Sequence, residues 1–579
     1  MIPSCADLLA VRPHQGVRAV NSVKRNMTMR IVPLLLASCG LAFAGIPAPA
    51  QNSSSAPSSD KCSQLTGFNV LNASITTAKT YAAGMFVGAP NPFTGADESD
   101  LYKKLPAFCR VVAVATPTSD SNITIEVWMP PAGWNGRLIG LGNGGFAGEM
   151  ETKELSAAMA KGYAATATDT GHAASPNDGT WGLGHPEKVI DYGHRGIHEM
   201  TRVAKLIVEQ FYGSAPKHAY FSGCSDGGRE ALMEAQRYPA DYDGILAGAP
   251  VNNLTGIMSM WAVYTKALVV PATAFIPLSK IPTIEHAVTA ACDEIDGVRD
   301  GILNDPRQCK FDPVSIQCKE GADTDKCLTG PQVTALKVIY AGLRDEKGQL
   351  VHPGYLPGAE QGRDGFWGWD AWITGEAPGN GIISLFANGY FSNMVFEKSD
   401  WDVKTFNVDR DLPFARQKTA AALDAVNPNL SAFRSHRGKL ILYHGWNDPA
   451  IPALSTVNYY EEVAGSVGES NIDSFVRLYM VPGTAHCFGG PGADLFGQSP
   501  ATPGTSDPQR NAQDALENWV EKGAAPDVII ASKSNGAAPM TGESVIMTRP
   551  LCPYPQLAHY KGSGDSNRAE NFACATAKK

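Results

Sequence analysis

The chain has 579 residues and a mass of 61.5 kDa, too long for one small core, so a large domain with an insertion or a two-domain protein is expected and a small binding module is excluded. Its 48 Lys+Arg against 57 Asp+Glu give a formal net charge of −9 and a pI near 5.8, which offers no general attraction to nucleic-acid phosphates or anionic membranes. A charged content of 18%, with 58 Gly and 40 Pro, favours a loop-rich globular fold over a coiled coil or a disordered chain.

The first fifty residues read as a leader outside the fold. Arg30 precedes an apolar run from Ile31 to Ala44, and Ala48 and Ala50 offer a small-residue cleavage site before the polar stretch from Gln51 to Ser55. The polar segment Met1 to Asn26 is long for a signal, so translation starts at Met27 or Met29, or the leader has a long n-region. Leu36-Ala37-Ser38-Cys39 also matches a bacterial lipobox, which leaves open a lipid anchor at Cys39. No other run reaches 18 apolar residues, so no membrane span is expected in the mature chain. Setting Cys5 and Cys39 aside with the leader, ten of the 12 cysteines remain, an even number suited to five disulfides in an oxidising compartment, secreted or periplasmic. Proximity suggests Cys292 with Cys309 and Cys318 with Cys327. No C-x-x-C pair occurs, so cysteine-bound metal is not expected.

The organised chain begins with an apolar run, Leu138 to Leu141, ending in Asn143-Gly144-Gly145, which predicts a strand and a tight glycine loop. A second strand is predicted at Tyr163–Thr168. Apolar residues at Ile197, Met200, Val203, Ala204, Ile207, Val208 and Phe211 recur with helical period, and Gly213 stops that helix. A strand at Ala219–Ser222, a helix over Arg229–Arg237 and a strand at Ile245–Ala247 follow. Strand and helix alternate as in a parallel α/β sheet. After Pro250 the rhythm breaks, and it resumes with a strand at Leu440–Tyr443, a helix near Ala453–Ala464 and a strand at Phe475–Val481. The expected organisation is therefore a leader over 1–50, a core over 51–252, an inserted lid over 253–430, and the rest of the core over 431–579.

Chemistry enters at Gly223-x-Ser225-x-Gly227, set between a predicted strand and a predicted helix. There the glycines permit the strained turn that lifts a serine hydroxyl out of a sheet's carboxyl end. The partners of such a serine follow in the order acid, then histidine, each on a loop after a strand. Asp448 fits after Leu440–Tyr443, and His486 fits after Phe475–Val481. Only one other histidine, His559, lies downstream of Asp448. In this arrangement Ser225 attacks an acyl carbonyl, His486 takes and returns the proton, and Asp448 fixes the imidazole tautomer. The oxyanion is assigned to backbone N–H groups of Asp226 and of the Gly144-Gly145 loop, with Gly145 preferred over Gly144.

Cys224 directly before the serine and Cys487 directly after the histidine complete a paired signature, and with it the chain resembles the tannase/feruloyl esterase family over nearly its whole mature length. The resemblance implies an α/β-hydrolase fold with a large inserted lid, and hydrolysis of esters of aromatic acids such as ferulate or gallate. It also implies the pairs Cys62–Cys109, Cys224–Cys487, Cys292–Cys309, Cys318–Cys327 and Cys552–Cys574. The family includes terephthalate monoester hydrolases, which use a lid arginine for the free carboxylate of the substrate. Thr374 to Asn393 holds no Arg or Lys, which counts against that specificity, although Arg363 lies nearby.

Asp293, Asp296 and Asp300 crowd around Gly297 and Gly301, and carboxylates gathered so closely repel unless a hard cation neutralises them. The spacing is not an EF-hand, because the twelfth position counted from Asp293 is Asn304. The resemblance implies structural Ca2+ here, with carbonyl ligands from Val298 and Ile302. Rough alignment nominates Trp372, Phe391 and Ser392 of the lid for the acyl group, and His444 for the pocket near Asp448. An inactive binding protein and a serine peptidase are the other classes this scaffold permits. The partner expected is a small aromatic ester, not a nucleic acid.

Overall fold

The computed structural model describes residues 60–576, apart from 89, 91–94, 359, 361, 363–367 and 537–543. The leader, with Cys5, Cys39 and its cleavage site, and Arg363 therefore lie outside the described residues.

Nine strands form the main sheet: β1 (Ala73–Tyr81), β2 (Phe108–Ala115), β3 (Ile123–Met129), β4 (Arg137–Leu141), β5 (Ala164–Thr168), β6 (His218–Cys224), β7 (Gly244–Gly248), β8 (Lys439–Gly445) and β9 (Val476–Val481). Their order is β1-β2-β3-β5-β4-β6-β7-β8-β9. The sheet is mixed where the alternation predicts parallel pairing throughout. The β1–β2, β2–β3 and β3–β5 pairs are antiparallel, and the remaining neighbours are parallel.

Successive side chains of a strand face opposite sides, and the two apolar layers divide accordingly. Leu138, Phe221, Ile245, Leu440 and Leu442 pack with the helix α1 (Gly196–Tyr212), while Ile139, Tyr220, Leu246, Ile441 and Tyr443 pack with the helix Ala512–Lys522. The chain leaves the sheet at Gly248 and rejoins it at Lys439 in the neighbouring strand, with Tyr443 opposite Gly248. The described residues between these points give no strand to the main sheet and build a third apolar cluster around Trp261, Tyr264, Ile284, Leu336, Trp369 and Phe391. Two small antiparallel ladders, β10 (Ile529–Ser534) with β11 (Val545–Leu551) and β12 (Gln556–Tyr560) with β13 (Phe572–Thr576), close the chain.

The five disulfides are Cys62–Cys109, Cys224–Cys487, Cys292–Cys309, Cys318–Cys327 and Cys552–Cys574, the same pairs the family resemblance implies.

Candidate active site

Strand β6 runs directly into Ser225 and then into the helix α2 (Asp226–Arg237), so the serine occupies a one-residue hinge between strand and helix. Its φ of 65° and ψ of −120° are costly for a residue with a side chain. The conformation is held from both sides, because the Ser225 N–H donates to Gly248 O at 3.0 Å and its carbonyl accepts from Arg229 N and Val251 N. So tight a turn leaves no room beside it. A Cβ on Gly223 would lie 2.5 Å from Gly227 O, and one on Gly228 would lie 2.3 Å from Gly248 O.

Asp448 follows the end of β8 and is 2% exposed. Its Oδ1 accepts the N–H groups of Ala450 and Ile451, both at 2.8 Å, and its Oδ2 lies 2.7 Å from His486 Nδ1. Burial pushes this carboxyl up, but His486 and His444 outweigh it and hold the group well below the usual carboxylate range. With Nδ1 committed to Asp448, the Nε2 of His486 is the nitrogen left to take a proton. Cys487 has φ 66°, and its disulfide to Cys224 brings the two Cα atoms to 6.0 Å, so the residues flanking His486 and Ser225 are covalently joined. Among the described contacts no hydrogen bond yet joins the Ser225 hydroxyl to His486, a bond that commonly tightens only when substrate is bound.

The glycine loop after β4 stands beside the same hinge. Gly227 N donates to Asn143 O at 2.7 Å, and Gly145 has φ +59° where a Cβ would meet Pro176 O at 2.3 Å. Gly144 O accepts from Ala147 N, and Phe146 N donates to Pro176 O. Among the described residues no acceptor takes the N–H of Gly145 or of Asp226.

The profile of the family described as Tannase and feruloyl esterase matches residues 109–575. The chain belongs to that family. An uncharacterised esterase of Xanthomonas campestris pv. campestris is 38% identical, covering 90% of this chain and 92% of its own. Mono(2-hydroxyethyl) terephthalate hydrolase of Piscinibacter sakaiensis is 33% identical, over 81% of this chain and 85% of its own. The crystal structure of feruloyl esterase B from Aspergillus oryzae superposes with a TM-score of 0.79 at 28% identity, covering 89% of this chain and 99% of that one. The protein is thus a carboxylic ester hydrolase of the tannase/feruloyl esterase type with an α/β-hydrolase fold.

Within this family member, the residues nominated for substrate binding divide. Trp372 stands edge-on to the His486 ring at 5.5 Å and stacks on Phe386, which in turn meets Phe146 and Trp261. Trp372 is thus the ring beside the histidine, and Phe386, Phe146 and Trp261 are buried core behind it. Phe391 is fully buried among Tyr390, Phe396, Trp401 and Phe406, so it is core and not pocket wall. Ser392 spends its hydroxyl on Asn388 O at 2.5 Å and is nearly buried. His444 does not face a pocket either. It is fully buried behind Asp448, with Nε2 at 3.1 Å from the same Oδ2 that His486 uses and 3.0 Å from Ile451 O, and Nδ1 at 2.7 Å from Thr456 Oγ1. Neither that second imidazole on Asp448 nor the Tyr192 and His172 contacts described below leave a sequence signal, because each depends on residues far apart in the chain.

In the acidic loop, Asp293 accepts from Gly301 N, Asp296 from Val298 N and Asn304 N, and Asp300 from Ile302 N, while Arg549 Nη2 lies 2.5 Å from Asp300 Oδ2. Burial, with Asp300 and Asp293 adding to it, pushes Asp296 up to about 6. Among the described residues no three His, Cys, Asp or Glu side chains already converge as a cage. The donors present are all oxygen, which suits a hard cation.

Proposed function

We propose that the protein is an exported serine esterase that cleaves esters of phenolic acids, of the ferulate or gallate kind, through an acyl-enzyme. The observation that carries this reading is the 2.7 Å Asp448–His486 pair, fastened by Cys224–Cys487 to the strained Ser225 hinge. Ser225 Oγ adds to the ester carbonyl as its proton passes to His486 Nε2, and the oxygen that becomes anionic is received by the N–H groups of Asp226 and Gly145. Collapse breaks the bond to the alcohol oxygen, which leaves with the proton from His486. Water then repeats the cycle on the acyl-serine and releases the acid. The part-exposed ring of Trp372, edge-on to His486 and backed by Phe386, suits a flat aromatic acyl group, since stacked and edge-on contacts favour such partners. Export is supported by the five disulfides.

We further infer structural Ca2+ in the Asp293–Ile302 loop, held by the carboxylates of Asp293, Asp296 and Asp300 and the carbonyls of Val298 and Ile302. Three aspartates within one short loop, two of which add to the burial that pushes Asp296 up, support it. The ester chemistry needs no metal.

The deciding experiment assays methyl ferulate, methyl gallate, a terephthalate monoester, a short-chain chromogenic ester and a peptide library, with Ser225→Ala in parallel. Turnover of the phenolic esters, lost in Ser225→Ala, is expected. Preference for peptides, or an active Ser225→Ala, would overturn the reading.

A further inference from the structure

Two glycines in sequence form the most pliable backbone a chain can offer, yet the oxyanion donors assigned above need fixed places. The entry of the turn is held by α2: Asn143 N donates to Glu230 Oε2 at 2.9 Å, and Asn143 O accepts from Gly227 N. Its exit is held by a different residue. The Tyr192 hydroxyl lies 3.1 Å from Gly145 O and 2.8 Å from Asp226 Oδ1, so one proton is shared between the two residues whose N–H groups face the reacting carbonyl.

Tyr192 is itself anchored at its other end. Arg229 is fully buried, donates to the carbonyls of Gly193 at 2.6 Å and Tyr192 at 3.0 Å, pairs with Asp226 through Nε at 2.7 Å, and stands 4.6 Å over the Tyr192 ring. Burial, reinforced by the Asp226 charge, pushes the phenol far above its ordinary value, so the hydroxyl keeps its proton. His172 Nε2, 2.8 Å from Phe146 O, and Pro176 O, taking Phe146 N, hold the next peptide. These contacts act on the far side of the turn. Among the described contacts Tyr192 is the side chain that bonds both the Gly145 peptide and the residue after the serine.

We propose that Tyr192 is a positioning residue for ester hydrolysis, its hydroxyl tying the carbonyl of Gly145 to the carboxylate of Asp226 so that the two backbone donors keep the spacing a tetrahedral oxyanion requires. The inference rests on the serine-esterase reading above. Tyr192 touches no reacting atom; its effect passes through the peptide it holds.

The test is Tyr192→Phe in the full chain with its disulfides intact. Phenylalanine keeps the ring against Arg229 and removes one oxygen, while Asp226 retains its guanidinium. Full loss of an oxyanion donor costs about 100- to 1,000-fold in kcat, so a misplaced donor is expected to cost about 10- to 100-fold, with KM for methyl ferulate within about threefold. An arylboronic acid, which adds the Ser225 oxygen to boron and places a tetrahedral anion in the same site, is expected to lose affinity by a factor like that in kcat. Ferulate, a planar product, is expected to bind within about threefold of wild type. The proposal is overturned if kcat stays within threefold, if ferulate weakens in step with the boronate, or if the variant fails to fold, which would make the hydroxyl purely structural. Ser225→Ala separates the two levels. An active Ser225→Ala defeats the underlying reading, whereas an inactive Ser225→Ala beside a fully active Tyr192→Phe defeats only the role of Tyr192.

Discussion

Removing the Cys224–Cys487 bond tests whether the covalent link serves the chemistry or only stability. The cross-link spans 263 residues, and the nested pairs Cys292–Cys309 and Cys318–Cys327 shorten that loop by a small fraction. Chain-closure entropy for such a loop amounts to about 5.5 kcal/mol at 25 °C. A folded unit of roughly 520 residues unfolds with an entropy of about 1.1 kcal/mol/K, so the double replacement Cys224→Ala, Cys487→Ala is expected to lower Tm by about 5 °C. The same arithmetic for Cys552–Cys574, which closes 22 residues in the C-terminal ladder, gives about 3.4 kcal/mol, or about 3 °C. The two losses are therefore comparable in stability and differ in place. Ser225 and Cys487 both hold positive φ beside the bond, at 65° and 66°, and without it the His486 loop is free to relax away from the hinge. We expect kcat on methyl ferulate, measured 20 °C below each variant's own Tm, to fall about 10-fold or more in the Cys224/Cys487 variant and less than twofold in the Cys552/Cys574 variant. Unchanged turnover in a folded Cys224/Cys487 variant would refute the catalytic role, and peptide mapping that found either cysteine paired elsewhere would refute the bond.

Ser225→Ala is expected to lose at least about 1,000-fold in kcat with Tm changed by no more than a few degrees, since it deletes one hydroxyl; more than a tenth of wild-type activity would remove the assignment. Exhaustive chelation is expected to lower Tm while leaving the activity of the still-folded protein nearly unchanged, because a bound ion stabilises by mass action; an unchanged melt together with no calcium by elemental analysis would exclude the site. His172 is buried and held down to about 4 from 6.5, first by burial. A histidine kept neutral in the fold lends its stability above the unfolded value and loses it as pH falls from 6.5 towards 4, a span worth on the order of 3 kcal/mol. Acid unfolding monitored by fluorescence should therefore steepen below about pH 6 and be blunted in His172→Gln; identical acid profiles would contradict this.

The parts legible in the sequence are those written in short-range pattern. The 3.6-residue stripe from Ile197 to Phe211 and the stop at Gly213 match α1 and its left-handed cap, φ 77°. Gly223-x-Ser225-x-Gly227 between apolar runs marks the hinge because sterics demand glycine there. Strand β1, Ala73–Tyr81, escaped because it is an edge strand with few large apolar residues and irregular exposure. Strands β2 and β3 did carry alternation or an apolar run that was readable, and they turn the expected parallel sheet into a mixed one. Side-chain destinations were less legible. An aromatic such as Phe391 reads alike whether it fills a core or walls a pocket, and His444, four residues before Asp448, gives no sign that it backs the carboxylate instead of facing substrate.

The exit of the chain at Gly248 and its return at Lys439 in the adjoining strand have a consequence for how this enzyme diversifies and how it can be re-engineered. The two strands are parallel neighbours, so the excursion leaves from the carboxyl end of one and returns to the amino end of the next, a crossover whose two anchors the sheet fixes without registering the content of what lies between. Ser225 is encoded before the excursion and Asp448 and His486 after it, so no nascent or clipped piece ending inside it carries the three together. Swapping this segment between relatives should then behave as the exchange of a cassette. Success would hinge on the seam, where Phe146, Ala147, Val189, Tyr192, Ala450 and Ile451 of the scaffold pack into the same apolar cluster as the excursion, and a graft that respects those six residues should inherit new ester preferences on an unaltered sheet.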